Sequence, residues 1–277
     1  MASEHAEWFA VEREKGRFET SSLEALQSYL DGSITVHDTV QQLTADSIRR
    51  PHDDHVGRVW RMFLDLAVDF QDTHESIISL LKHISELPKP EQKNKIDWSQ
   101  ELEEDFWHYW DAKRIWADDL LAEHNKGRDN LSDLEARRFI NYHAFTATGI
   151  ASGVKLNIDL GWGFVAIVAG IEKKLRPTIT LSEDTRIRGA AQYFMHAARY
   201  YLDSLTNEPS YASRDYDSEL WKGAPGFNLE RWAFWRERWN ELRQNEALSE
   251  EAREAARLAE VAMGKAERQK AKKGKKN

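Results

Sequence analysis

The residues best suited to holding a metal lie in Asp118-Asp119-Leu120-Leu121-Ala122-Glu123. Asp119 and Glu123 are four apart, so on a helix their carboxylates share a face. Mg²⁺ prefers oxygen ligands and fills its other positions with water or substrate phosphates, which is the chemistry such a pair serves. A diphosphate site of this kind needs a second set of donors at four-residue spacings. The nearest stretch, Asn141, Phe145 and Gly149, has no carboxylate. With 47 acidic residues in the chain, an Asp-Asp pair arises by chance, and a solvated helix face is the simpler reading. His52-Asp53-Asp54-His55 places two histidines three apart beside carboxylates, a spacing open to a divalent metal. Two acids at a helix start equally complement the macrodipole. Asp105 and His108 give one acid-x-x-His element, whereas a di-iron bundle needs two and two further carboxylates. The expectation is therefore no metal, with Asp118, Asp119 and Glu123 as the alternative, and no cofactor.

Nucleophilic chemistry has less support. Cysteine is absent, and with it thiolate ligands, cysteine nucleophiles and disulfides. The sequence contains no Gly-x-Ser-x-Gly elbow and no glycine-rich phosphate loop. Recognition is better provided for, with 11 Trp, 11 Phe and 8 Tyr. Trp107, Tyr109, Trp110 and Trp116 cluster in one segment, and Trp232, Trp235 and Trp239 in another. Such rings bury large areas and staple helices, and they also line ligand pockets. Asn141 and His143 sit among Phe139, Ile140, Ala144 and Phe145, and a polar side chain on an apolar face must be hydrogen-bonded. Asn141, His143, Trp162, Trp232 and Trp235 are thus the candidate pocket residues, for an unknown small molecule or protein partner.

The net charge of -8 is unevenly spread. Residues 265–277 hold Lys265, Arg268, Lys270, Lys272, Lys273, Lys275 and Lys276 against Glu267, a net of +6, so the rest carries −14. An acidic body repels a phosphate backbone, so nucleic acid is an expected partner only through this tail. The tail is expected to be disordered, because lysine-rich ends usually fray. The longest apolar run, Leu160 to Ile171, is 12 residues, too short to cross a bilayer. The start of the chain has no basic, then apolar, secretion signal. A cytoplasmic or nuclear protein that is neither secreted nor membrane-inserted is expected.

Helical periodicity dominates the elements that must position these groups. Capping-box patterns occur at Ser21 with Glu24, Thr35 with Asp38, Ser132 with Glu135 and Thr180 with Glu183. Gly32 suits a helix stop. Val56, Val59, Trp60, Phe63, Ala67 and Phe70 form one apolar stripe. A helix from Ile77 to Leu87 is halted by Pro88 and Pro90, and Asp97 with Gln100 opens an aromatic helix to about His124. Residues 157–175 are apolar nearly all round, predicting a central buried helix closed by Pro177. Residues 207–227 read as the longest loop. Asn228 caps a Trp-bearing helix, and Ser249 opens a last helix whose Ala252, Ala255, Ala256, Ala259, Ala262 and Met263 form a close-packing face. The predicted fold is all-α, a single multi-helix bundle of about ten helices without a sheet, spanning 1–264 with 265–277 as the tail.

Several segments together resemble a fungal family of unknown function, the Domain of Unknown Function 3632 family. They are Glu75-Ser76-Ile77-Ile78-Ser79-Leu80-Leu81 running to Leu87-Pro88, Arg138-Phe139-Ile140-Asn141-Tyr142-His143-Ala144-Phe145, and Glu230-Arg231-Trp232-Ala233-Phe234-Trp235-Arg236-Glu237-Arg238-Trp239, followed by the residues from Glu251 to Met263. The resemblance implies an all-helical fold and a fungal cytosolic or nuclear setting, and it implies no activity. Asp118, Asp119 and Glu123 are similar to the aspartate-rich signature of class I terpene cyclases, and Arg199-Tyr200 echoes that group more weakly. The leading expectation is an accessory or binding protein. The alternative is an enzyme acting on a hydrophobic metabolite, a cyclase or isomerase, Mg-dependent in one version.

Overall fold

The computed structural model describes residues 2–49, 55–87, 131–153, 160–205 and 218–274. Among these there are ten α-helices, one 3₁₀ turn and no strand, as the helical spacing predicts. The described residues fall into two compact units, the first within 2–87 and the second within 131–274.

The first unit holds α1 (Ala2–Lys15), α2 (Thr20–Leu30), α3 (Val36–Arg49), α4 (His55–Asp69), a 3₁₀ turn (Gln71–Thr73) and α5 (His74–Ser85). Its core is aliphatic and aromatic: Phe9, Leu23, Leu26, Met62, Phe63, Leu66 and Leu80 are buried. The local stops follow the sequence closely. Gly32 takes φ 73°, the left-handed region that a Cβ disfavours. From there the Gly32 N–H donates to the Tyr29 carbonyl and the Ser33 N–H to the Ser28 carbonyl, the bond pair of a Schellman close. Thr35 caps α3, accepting from the Asp38 N–H at 3.2 Å. The box expected at Ser21 and Glu24 does not form. α2 begins two residues earlier than that box requires, at Thr20, after a Glu19 whose side chain makes no capping bond, so Ser21 already lies within the first turn.

The second unit holds α6 (Asp133–Ala151), α7 (Leu160–Ile171), α8 (Leu181–Asp203), α9 (Leu229–Leu242) and α10 (Glu250–Gly274). α8 is its axis, with α6, α7 and α10 packed on it, and α9 packs on α10 and α7. The boxes at Ser132 with Glu135 and Thr180 with Glu183 are both complete, and Asn228 accepts from the Arg231 N–H. Close approach depends on small residues. A Cβ at Gly163 of α7 would overlap the Tyr201 hydroxyl and lie 2.8 Å from the Tyr193 ring. The alanine face of α10 is buried at Ala252, Ala256 and Ala259, as its spacing predicts.

Two boundaries differ from expectation. The central helix stops at Ile171 and not near 175: the Lys174 N–H, which would continue it by bonding the Gly170 carbonyl, donates instead to the Glu219 carboxylate at 3.0 Å. The last helix continues through 265–274 where a frayed tail is expected. Ala266 is buried, and Lys270 donates to the Leu202 carbonyl at 2.8 Å. No helix among the described residues is long and apolar enough to cross a membrane.

Candidate functional site

Asn141 and His143 lie two apart on α6, roughly 200° around the helix, so they face different neighbours. Both are buried. His143 meets Tyr193 of α8, with Nδ1 2.9 Å from the phenol oxygen. Burial pushes the Tyr193 and Tyr142 phenols well above the ordinary value, so both rings stay un-ionised. From His143 a continuous run of rings crosses the core: Tyr193 at 5.4 Å, then Tyr201 at 6.1 Å, Phe227 at 5.6 Å and Trp235 at 5.6 Å between successive centroids. His143 and Trp235, two of the predicted pocket residues, therefore sit at opposite ends of one ring stack. Trp232 joins through Phe194, and its indole N–H donates to Glu267 of α10 at 2.9 Å. Trp162 lies on α7, with its side chain outside the described atoms.

The metal candidates are not tested by this geometry. Asp118, Asp119 and Glu123 lie outside the described residues, as do Asp105, His108 and the first three residues of the His52 cluster; His55 begins α4. Among the described residues no group of three or more His, Asp or Glu is placed to hold a metal.

The structure brings forward a group that sequence reading missed. Glu172, fully buried just beyond α7, accepts from Arg231 through both of its oxygens, Nε at 2.7 Å and Nη2 at 2.6 Å. The Trp235 N–H donates to the same carboxylate at 2.6 Å. Arg231 lies over the Phe164 ring, its Cζ 4.5 Å from the centroid, and also donates to the Gly226 carbonyl. A buried ion pair persists only when its remaining valences are satisfied, and here two further bonds, from Trp235 and to the Gly226 carbonyl, and a ring face do that. Arg231 and Trp235 are four apart on α9, a visible i, i+4 pair, but their common acceptor is 59 residues upstream of Arg231, which no local pattern reveals.

The same glutamate organises the surface above it. Its backbone carbonyl holds the Glu219 and Leu220 N–H groups at 3.0 Å, and the Glu219 carboxylate returns to the Lys174 N–H at 3.0 Å. Between these strands of chain and the start of α8 lies a polar hollow of about 230 Å³. Lys173, Lys174, Arg176 and Arg186 line it together with Glu183 and Glu219. Glu183 is bound to the Thr180 hydroxyl and to the Thr180 and Arg176 N–H groups, so its charge is committed to the first turn of α8.

An all-helical protein with an ion pair sealed in its second unit and a cation-lined hollow above is the class that fold and geometry define. A family model described as "Protein of unknown function (DUF3632)" matches residues 60–239, and the chain belongs to that family. Glu172, Arg231, Trp235 and the hollow all fall within the matched span. No curated protein and no solved structure matches the chain.

Proposed function

We propose that the protein acts by binding, as an accessory protein, and that its second unit carries the recognition surface at the α7–α8 hollow. The observation that carries this reading is a concave polar site in which four cations outnumber two carboxylates, Lys173 lying 3.9 Å from Glu219 and Arg176 4.0 Å from Glu183, on a chain whose net charge is -8. Positive potential confined to one recess concentrates an anionic ligand there. Asn141, His143, Trp232 and Trp235 are then the packed frame of that surface. Trp235 and Tyr193 are fully buried against other rings, an arrangement that supports a filled core over a chamber for a hydrophobic substrate. The setting proposed for this activity is the cytoplasm or nucleus, which the segment resemblance favours.

Thermal unfolding of the full chain against two panels tests the reading, one of small polyanions and one of neutral apolar metabolites. Ligand at 100 times its dissociation constant adds about 2.7 kcal/mol of stability. A raised Tm with polyanions alone is expected. Stabilisation by the apolar panel alone would overturn the reading in favour of an enzyme or carrier for a hydrophobic metabolite.

A further inference from the structure

We infer that the outward face of the end of α10 docks on the phosphate backbone of a nucleic-acid duplex, a contact separate from the α7–α8 hollow and independent of it. Lys265, Arg268 and Lys272 carry it. They fall at i, i+3 and i+7, which places them within a sector of about 60° around the helix. All three are exposed, while Met263 and Ala266 on the inward side of the same turns are buried.

These cations are not neutralised within the chain. None of the three makes an ion pair or a side-chain hydrogen bond among the described residues. Their neighbours differ. Lys270 donates to the Leu202 carbonyl and lies 3.8 Å from Asp203, on which Lys273 also acts electrostatically, so neither belongs to the stripe. Between residues 258 and 274 the carboxylates are Glu260 and Glu267, and both are answered by α9. Glu260 lies 3.6 Å from Arg236 and 3.7 Å from Arg243, and Glu267 accepts from Arg236 and the Trp232 indole. Ala266 is the last buried residue of α10, and Lys272 stands six residues beyond it, about 9 Å along the axis. That distance is close to the Debye length of about 10 Å at 0.1 M salt, so the acidic body opposes a partner there only weakly.

Shape and chemistry select the partner. Three cations in line along a rod about 10–12 Å across suit the major groove of B-DNA, which is about 12 Å wide. Contacts to backbone charge hold the rod in place and carry no sequence preference. A single-strand site needs rings on which bases stack, and residues 258–274 contain no aromatic side chain. A helix lying in a membrane surface needs an apolar face beside its cations. Beyond Val261 the exposed residues of α10 offer no apolar side chain larger than that of Ala271. A protein partner would need apolar anchors at the centre of the contact, and the same lack argues against it.

The test is fluorescence anisotropy of a labelled, mixed-sequence DNA duplex of two helical turns, titrated with the full chain across a salt series. Three phosphate contacts contribute about −2.7 to the slope of log affinity on log salt, a loss of about 40-fold between about 50 and 200 mM. Combining Lys265→Gln, Arg268→Gln and Lys272→Gln should remove that contribution and weaken low-salt binding by more than about tenfold. Glutamine keeps the helix propensity of α10, and circular dichroism checks that helicity is retained. The charge-matched control, Arg58→Gln with Lys82→Gln and Lys222→Gln, changes exposed cations on other segments and should leave the slope unchanged. No duplex binding at about 50 mM salt, or equal binding by the triple variant and the control, would overturn the inference. Binding as tight to phosphatidylserine vesicles or to polyglutamate would also overturn it, assigning the face to a lipid surface or an acidic protein. None of these outcomes bears on the hollow, whose residues stay unchanged throughout.

Discussion

Each unit contains a buried glutamate held by cations, and the two are solved differently. In the first unit Glu12 accepts from Lys15 at 2.8 Å and Arg17 at 2.6 Å, and those partners are about half exposed, at 51% and 46%. In the second unit Glu172 and Arg231 are both sealed, at 0% and 5%. Water can still reach the cations around Glu12, so losing the carboxylate leaves them solvated. Nothing replaces Glu172 for Arg231. The first arrangement tolerates change, while the second fixes a unique geometry and makes its loss severe.

The largest expected effect is therefore at the sealed pair. Glu172→Gln should lower stability by about 3–5 kcal/mol, because it strands a buried guanidinium. Pairing Glu172→Leu with Arg231→Met should cost much less than the sum of the single changes, read by urea unfolding of all variants. A single-variant loss below about 1 kcal/mol would place Glu172 with Glu12 and dissolve the contrast.

Two neighbouring tryptophans sharpen it. Trp235 donates to Glu172, whereas the Trp239 N–H is buried without a hydrogen-bond partner among the described residues. Trp235→Phe should cost about 1.5–3 kcal/mol more than Trp239→Phe, since the loss of ring volume is common to both and cancels in the comparison. Equal losses would mean that the indole bond adds nothing to the sealed pair.

The units should also separate by pH. Burial raises the Tyr142 and Tyr193 phenols above the ordinary 10.0, so the folded second unit keeps protons that an unfolded chain releases. Stability from these phenols is complete below about pH 10 and falls as the pH rises beyond it. Tyrosine absorbance should show them ionising only with unfolding. In the first unit, burial pushes the Glu12 carboxyl upward, but the bonds to Lys15 and Arg17 outweigh it and leave it below the ordinary 4.5. Its contribution is present above that value and is lost as the pH falls through the lowered one. The smallest effect expected is Glu12→Gln, about 1 kcal/mol near neutrality and vanishing in acid, followed by helicity across a pH series.

Much of the fold is legible in the sequence because caps and apolar spacing are local. Ser132 with Glu135, Thr180 with Glu183, Asn228 and Gly32 each act as their residue types predict. Ser21 with Glu24 fails because a pattern that permits a box does not choose among adjacent start residues. The aromatic weight of α9 is equally visible, and Trp232, Trp235 and Trp239 are all buried. The sealed pair is not legible. Glu172 falls within the 157–175 run that reads as one buried helix and is not singled out there, and only tertiary packing delivers Arg231 to it. The hollow is hidden for the same reason, since Glu219 and Arg186 meet Lys174 through chain reversal and not through spacing.

The final helix changes how its lysines are to be probed. Glu267 receives the Trp232 indole and Arg236, Lys270 reaches the Leu202 carbonyl, and Ala266 is buried, so the cationic stretch doubles as a clamp on α8 and α9. Truncation at 264 would withdraw charge and clamp in one stroke, and any resulting change of partner or compartment would be confounded with loosened packing. Swapping Lys272 and Lys273 for glutamine keeps the rod and its grip intact while erasing two positive charges.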